Sequence, residues 1–224
     1  IDQPFVSRLN PTPPGSMVVV GLEPVIPFMD RAGMATGTRH QALRLWGSRL
    51  PAGRDRMSLV RELYAEENRR LKDPSGSQDM IGLVYPGINR LDFDASHEGG
   101  IFPAHIETCL EPDVIDWLER VLWVIAVAPR PAGYNPLDQQ RLTPSLAQAL
   151  GQTGRRCYDA ILARDLQGLG RSMNDCMSIW AEMMPTIVQH PTISTDLVGI
   201  LRVFQSQSAG AMYSGCGGGY LYII

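Results

Sequence analysis

Two acidic side chains, Glu67 and Asp79, are the pair in this sequence best suited to chemistry. Asp79 closes the run Gly76-Ser77-Gln78-Asp79, just after the turn Asp73-Pro74-Ser75-Gly76. Pro and Gly there end one helix, and Ser77 and Asp79 are both candidate caps for the next. A carboxylate at a helix N-terminus is favoured in its charged form by the macrodipole. Glu67 stands twelve residues earlier, in the last turns of the preceding charged helix, Arg61 to Arg70. A helix, a tight turn and a second helix can return the two carboxylates to one place. One would then hold a metal ion and the other would face a substrate hydroxyl. An N-cap Asp and a solvated Glu explain the same residues without chemistry.

Two glycine-containing stretches add to the pair. Gly33-Met34-Ala35-Thr36-Gly37-Thr38 directly precedes helical patterning, with Arg39 and His40 as further donors. Loop glycines, threonine hydroxyls and unpaired helix N–H groups suit a phosphate. The spacing matches neither the Walker A nor the dinucleotide pattern, and a plain helix start capped by Thr38 accounts for it equally. Ser214-Gly215-Cys216-Gly217-Gly218-Gly219 puts four glycines in five positions, which permits torsions other residues disfavour and close approach of a ligand or of another backbone. A loose connector before a last strand is the alternative, and the run is the more specific of the two signals.

Composition bounds the rest. The 224 residues suffice for one large or two small domains, and 44% hydrophobic with 19% charged residues is ordinary for a globular chain. A net charge of −3 gives no argument for nucleic acid or an anionic membrane surface. No apolar run approaches the ~20 residues of a membrane span, and no signal-peptide pattern opens the chain. Cys109, Cys157, Cys176 and Cys216 lack paired metal spacing and read as reduced thiols of a cytoplasmic protein. Lys72 is the only lysine among twenty basic residues, which leaves few lysines for phosphate contact.

Patterning predicts extended structure over 16–28 and a loop over 30–38, with a helix following through Ala42, Leu43, Leu45 and Trp46. Asp55 caps the next helix, whose apolar positions are Met57, Val60, Leu63 and Tyr64. A short helix over 80–85 follows Asp79, and then a hairpin of strands 88–93 and 101–109. The run Val121 to Val127 suits a strand buried on both faces. A short helix over 135–141 comes next. Further helices over 145–163, broken near Gly151 to Gly154, over 166–184, where Met173, Met177, Trp180, Met183 and Met184 recur at helical spacing, and over 196–207 precede a last strand over 220–224. This order favours an α+β fold with two lobes, 1–108 and 109–224, over regular βαβ alternation.

The three stretches, in this order, resemble the GHMP kinases, and most closely the sugar branch that phosphorylates heptose 7-phosphate and related sugars. The glycine run after Gly210 and the Asp79 turn are the specific parts of the likeness. The resemblance implies a two-lobed fold, an N-terminal mixed lobe and a helix-rich C-terminal lobe with a small antiparallel sheet. It implies ATP-dependent phosphoryl transfer to a sugar or sugar-phosphate hydroxyl, with Asp79 catalytic. Gly33, Ala35, Thr36, Gly37, Thr38, Arg39, Gly215, Gly217 and Gly218 would hold ATP, and Glu67 and Thr38 would hold Mg2+. Asp2 and Gln78 would contact the sugar, and His97 and His105 are read as surface histidines near it. The chain departs from the family where paired serines are usual, with Thr36 and Gly37, and where lysines are frequent, with Ser77 and Met212. Cationic help would come from magnesium or from Arg39 or Arg130. Ile1-Asp2-Gln3-Pro4 looks like the tail of the family's first motif, so a chain trimmed at both ends, or one that has lost segments, is expected. A GHMP-like module that binds nucleotide or sugar without turnover is the alternative, and the reading leaves a homodimer open.

Overall fold

The computed structural model describes residues 35–69, 75–131, 134–135, 139–215 and 219–224. The predicted extended segment over 16–28, Asp2 and Gly33 lie outside them. Two compact units divide the described chain, Ala35–Glu111 and Pro112–Ile224. Helices and small antiparallel sheets make the architecture α+β.

The first unit opens with α1 (Thr36–Trp46), which begins earlier than the pattern predicts. Thr38 is not the N-cap. Ala35 takes that place in a left-handed conformation, φ 52°, with no side-chain cap. Thr38 and Ala42 lie one turn apart on the buried face, and burying that face sets where the helix starts. Gly47, φ 69°, ends it. Asp55 caps α2 (Arg56–Asn68) as expected, its carboxylate accepting the Ser58 N–H at 2.8 Å. Leu59, Val60 and Leu63 carry the buried face of α2 and meet Ala42, Met80, Ile81 and Phe102 in one apolar cluster. Each such side chain contributes roughly 2 kcal/mol by leaving water.

α3 (Gln78–Val84) buries Met80, Ile81 and Val84 in the same cluster. Ser77 stands at its N-cap without a side-chain capping bond, and Asp79 is the second helical residue rather than a cap. The Ser77 hydroxyl is committed elsewhere, donating to the Ile101 carbonyl at 2.6 Å. β1 (Ile88–Asp92) pairs antiparallel with β2 (His105–Cys109), with Ile88 opposite Cys109 and Asp92 opposite His105. β2 is shorter than predicted. Residues 98–100 turn as a 3-10 helix, and Pro103, which has no N–H to pair, precedes the strand.

The second unit corrects the central apolar run. Pro112 and Asp113 at a helix start open α4 (Pro112–Val121), and only Trp123–Ala128 is a strand, β3. β3 is not buried on both faces. It lies at one end of the order β3-β5-β4, with Trp123 42% and Ile125 36% exposed. Residues 135 and 139–141 of the predicted helix are not helical, and 136–138 lie outside the described residues. α5 (Pro144–Ala163) runs unbroken through Gly151 and Gly154, which face open space. Each glycine costs about 1 kcal/mol against Ala, less than the helix gains by burying Thr153, Tyr158 and Ile161 on α6 (Leu166–Met183). On and just after α6, Met173, Met177, Met183 and Met184 are buried and Trp180 half-buried, as their spacing predicts.

A short helix, α7 (Pro185–Val188), and then α8 (Leu197–Gln207), capped by Asp196 on the Gly199 N–H at 2.8 Å, complete the helical part. The sequence reading missed β4 (Ala211–Tyr213). It pairs antiparallel with β5 (Gly219–Ile223), Tyr213 opposite Leu221. Of the glycine run, Ser214 and Gly215 follow β4 and Gly219 opens β5, and residues 216–218 lie outside the described residues. Among the described residues no helix is long and apolar enough to cross a membrane.

Candidate functional site

The end of α2 is where the site begins. Glu67 is the penultimate helical residue and Asn68 the last. The Asn68 carboxamide accepts the Ser75 N–H at 2.7 Å and donates to the Tyr64 carbonyl at 3.1 Å, so the helix end is joined to the residue that leads into α3. The Ser75 hydroxyl lies 3.2 Å from Glu67 Oε1 and 3.2 Å from Asn68 Oδ1. Glu67 and Asn68 thus close onto Ser75, eight and seven residues on. Asp79 is half-buried in the first turn of α3, four residues beyond Ser75, and Gln78 is exposed beside it.

Glu67 has a second oxygen to account for. Oε2 is buried and has no hydrogen-bond partner among the described residues. A buried carboxylate oxygen left unpaired costs of order 1–3 kcal/mol or more. A divalent cation satisfies such an atom, so the residue fits the magnesium-binding place the resemblance gives it. Among the described residues no three His, Cys, Asp or Glu side chains gather as a metal cage. Mg2+ does not require one, since it is commonly held by one or two carboxylates together with substrate phosphates and water.

The far side of α3 is fixed by the β1–β2 connection. Arg61 on α2 forms a bidentate ion pair with Glu98, and its guanidinium lies 4.4 Å from the centroid of the Phe102 ring. That guanidinium holds the Glu98 carboxyl below its ordinary range. Phe102 in turn packs edge-on against Tyr64 at 5.1 Å. His97 sits 3.4 Å from Glu98, and His105 is exposed on β2.

The phosphate candidates are distributed as follows. Thr36, Gly37, Thr38 and Arg39 form the first turn of α1, after the left-handed Ala35. The Arg39 N–H donates to the Ala35 carbonyl at 2.9 Å and closes that turn. Gly215, φ 151°, follows β4 in the second unit, while Gly217 and Gly218 lie outside the described residues. That hairpin is set from behind by α6. Gly170 meets the backbone of Ala209 and Gly210 with no room for a side chain, and Asn174 Oδ1 accepts the Ala211 N–H at 3.1 Å. Arg130, also in the second unit, lies over the Tyr134 ring at 5.5 Å.

Sequence reasoning missed Asn68, Ser75, Arg61 and Glu98. A signal existed for the first two: an Asn ahead of the turn and a Ser within it are side chains that bond nearby backbone. None existed for Arg61 and Glu98, thirty-seven residues apart. Comparison of the chain with protein-family models and with curated proteins finds no match.

Proposed function

We propose that the chain is an ATP-dependent kinase of GHMP type that phosphorylates a sugar or sugar-phosphate hydroxyl. The observation that carries the reading is the closure of Glu67 and Asn68 onto Ser75, which brings a buried, half-satisfied carboxylate to the segment bearing Asp79. In this reading Asp79 orients the acceptor hydroxyl and takes its proton as the oxygen attacks the γ-phosphorus, while the β–γ bridging oxygen leaves with ADP. Gln78, exposed next to it, hydrogen-bonds the sugar. The first turn of α1 offers Thr36, Gly37 and Thr38 N–H groups and the Arg39 cation to phosphate oxygens. Mg2+ held by Glu67 and the Thr38 hydroxyl would supply charge neutralisation on the nucleotide phosphates. Catalysis of this class is mostly positioning and electrostatic stabilisation, which is what a short, well-anchored helix provides for Asp79.

A second reading is supported by the departures at Gly37, Ser77 and Met212: a GHMP-like domain that binds nucleotide or sugar without turnover. Titration of ATP with and without Mg2+, followed by ADP release over a panel of sugars and sugar phosphates, separates the two. Acceptor-dependent ADP release supports the kinase. Magnesium-dependent binding with no release across the panel supports the binding domain, and absence of nucleotide binding contradicts the kinase and leaves the domain only as a sugar binder.

A further inference from the structure

The three residues before α3, Ser75-Gly76-Ser77, are held from two sides by groups that the proposed reaction does not itself employ. On one side Asn68 accepts the Ser75 N–H at 2.7 Å and lies 3.2 Å from its hydroxyl, tying the segment to the end of α2. On the other side Ser77 is wholly buried and donates to the Ile101 carbonyl at 2.6 Å, tying it to the β1–β2 connection. That connection is itself bolted to α2 by Arg61 and Glu98. Ser77 does not spend its hydroxyl on capping α3, although a serine at N-cap normally does so. The bond to Ile101 therefore replaces a local capping bond with one that spans twenty-four residues.

We infer that Asn68 and Ser77 are positioning residues that fix the start of α3, and with it Asp79, between α2 and the β1–β2 connection. This rests on the kinase reading for its catalytic consequence, but not for the anchoring itself.

The test uses the full chain with Ser77→Ala and Asn68→Ala. Hydrogen exchange is read at the amides from Ile81 to Tyr85, where Ile81 N–H bonds the Ser77 carbonyl and Tyr85 N–H the Ile81 carbonyl. Each substitution is expected to speed exchange there about fivefold or more, the consequence of losing one buried hydrogen bond. Amides of α5 should be unchanged. Asn68→Asp keeps the acceptor for Ser75 but loses the donor to the Tyr64 carbonyl, so its exchange should fall between wild type and Asn68→Ala, and it serves where Asn68→Ala does not fold. With an accepted sugar, Ser77→Ala should lower kcat about tenfold and leave KM for ATP within about twofold, and Ser77→Thr should recover most of kcat. Exchange within twofold of wild type in both alanine variants overturns the inference. So does an unchanged kcat in Ser77→Ala. If wild type phosphorylates no acceptor, the kinase reading fails while the exchange result still decides the anchoring.

Discussion

Gly170→Ala is the substitution whose cost the structure lets one work out most directly. A Cβ at Gly170 would stand 2.1 Å from the Ala209 carbonyl oxygen, 2.4 Å from its carbon and 2.9 Å from the Gly210 nitrogen. All three are backbone atoms, so no side chain can swing aside. From the other face, a Cβ at Gly210 would meet Gly170 Cα at 2.4 Å. To reach ordinary contact, α6 and the segment leading into β4 must separate by about 1 Å. Overpacking of this kind costs about 3 kcal/mol. The separation also opens the 3.1 Å bond from the Ala211 N–H to Asn174, one helical turn along, for about 1 kcal/mol. Alanine returns about 1 kcal/mol of helix propensity. The net loss is about 3 kcal/mol, which for a chain of this size lowers Tm by roughly 6–12 °C. Scanning calorimetry against Gly151→Ala makes the comparison sharp, because Gly151 is helical too and its Cβ would meet nothing within 4 Å. That control should gain about 2 °C. A Gly170→Ala protein melting within 1 °C of wild type would refute the close approach of α6 to the β4 segment.

Three further expectations concern other parts of the molecule. Arg61 lowers the Glu98 carboxyl, so the pair contributes stability above the unfolded glutamate value near ~4.3 and loses it as pH falls through the lower folded value. Arg61→Met should therefore melt below wild type at pH 7, with the gap narrowing toward pH 3; a gap that stays constant speaks against the pairing. Glu67→Gln should raise the Mg2+ concentration for half-maximal nucleotide binding by at least about tenfold, since one charged ligand is lost, and an unchanged magnesium titration would remove Glu67 from the metal. Burial pushes the Cys157 thiol up to about 11, with Cys176 adding to it, so iodoacetamide at pH 8 should label Cys157 on the order of a hundredfold more slowly than an exposed thiol, followed by mass spectrometry. Labelling at the exposed rate would contradict the packing of α5 on α6.

The elements legible in the sequence were those whose signals are local. Asp55 before an apolar period of 3.6 announced α2, and Pro86-Gly87 with alternating residues announced β1. What the sequence hid was decided by tertiary contact. The run 121–127 is apolar under either assignment, and only Pro112 and Asp113 upstream disclose that its first residue belongs to a helix. β4 is three residues long and exists because β5 pairs with it. Gly151 and Gly154 suggest a break that burial of their neighbours overrides. The site follows the same division. That a turn follows α2 and leads into α3 could be read from Pro74, Gly76 and the periodic residues on either side. Ser77 as a long-range donor could not, because its local signal as a cap points to a different bond.

The central claim is that Asp79 acts on an acceptor alcohol. It is tested most directly by measuring magnesium-dependent ADP release, with an accepted sugar, for wild type and Asp79→Asn at matched nucleotide occupancy. The account predicts turnover lower by about two to four orders of magnitude in Asp79→Asn, with ATP binding preserved. Equal turnover in the two proteins would contradict it.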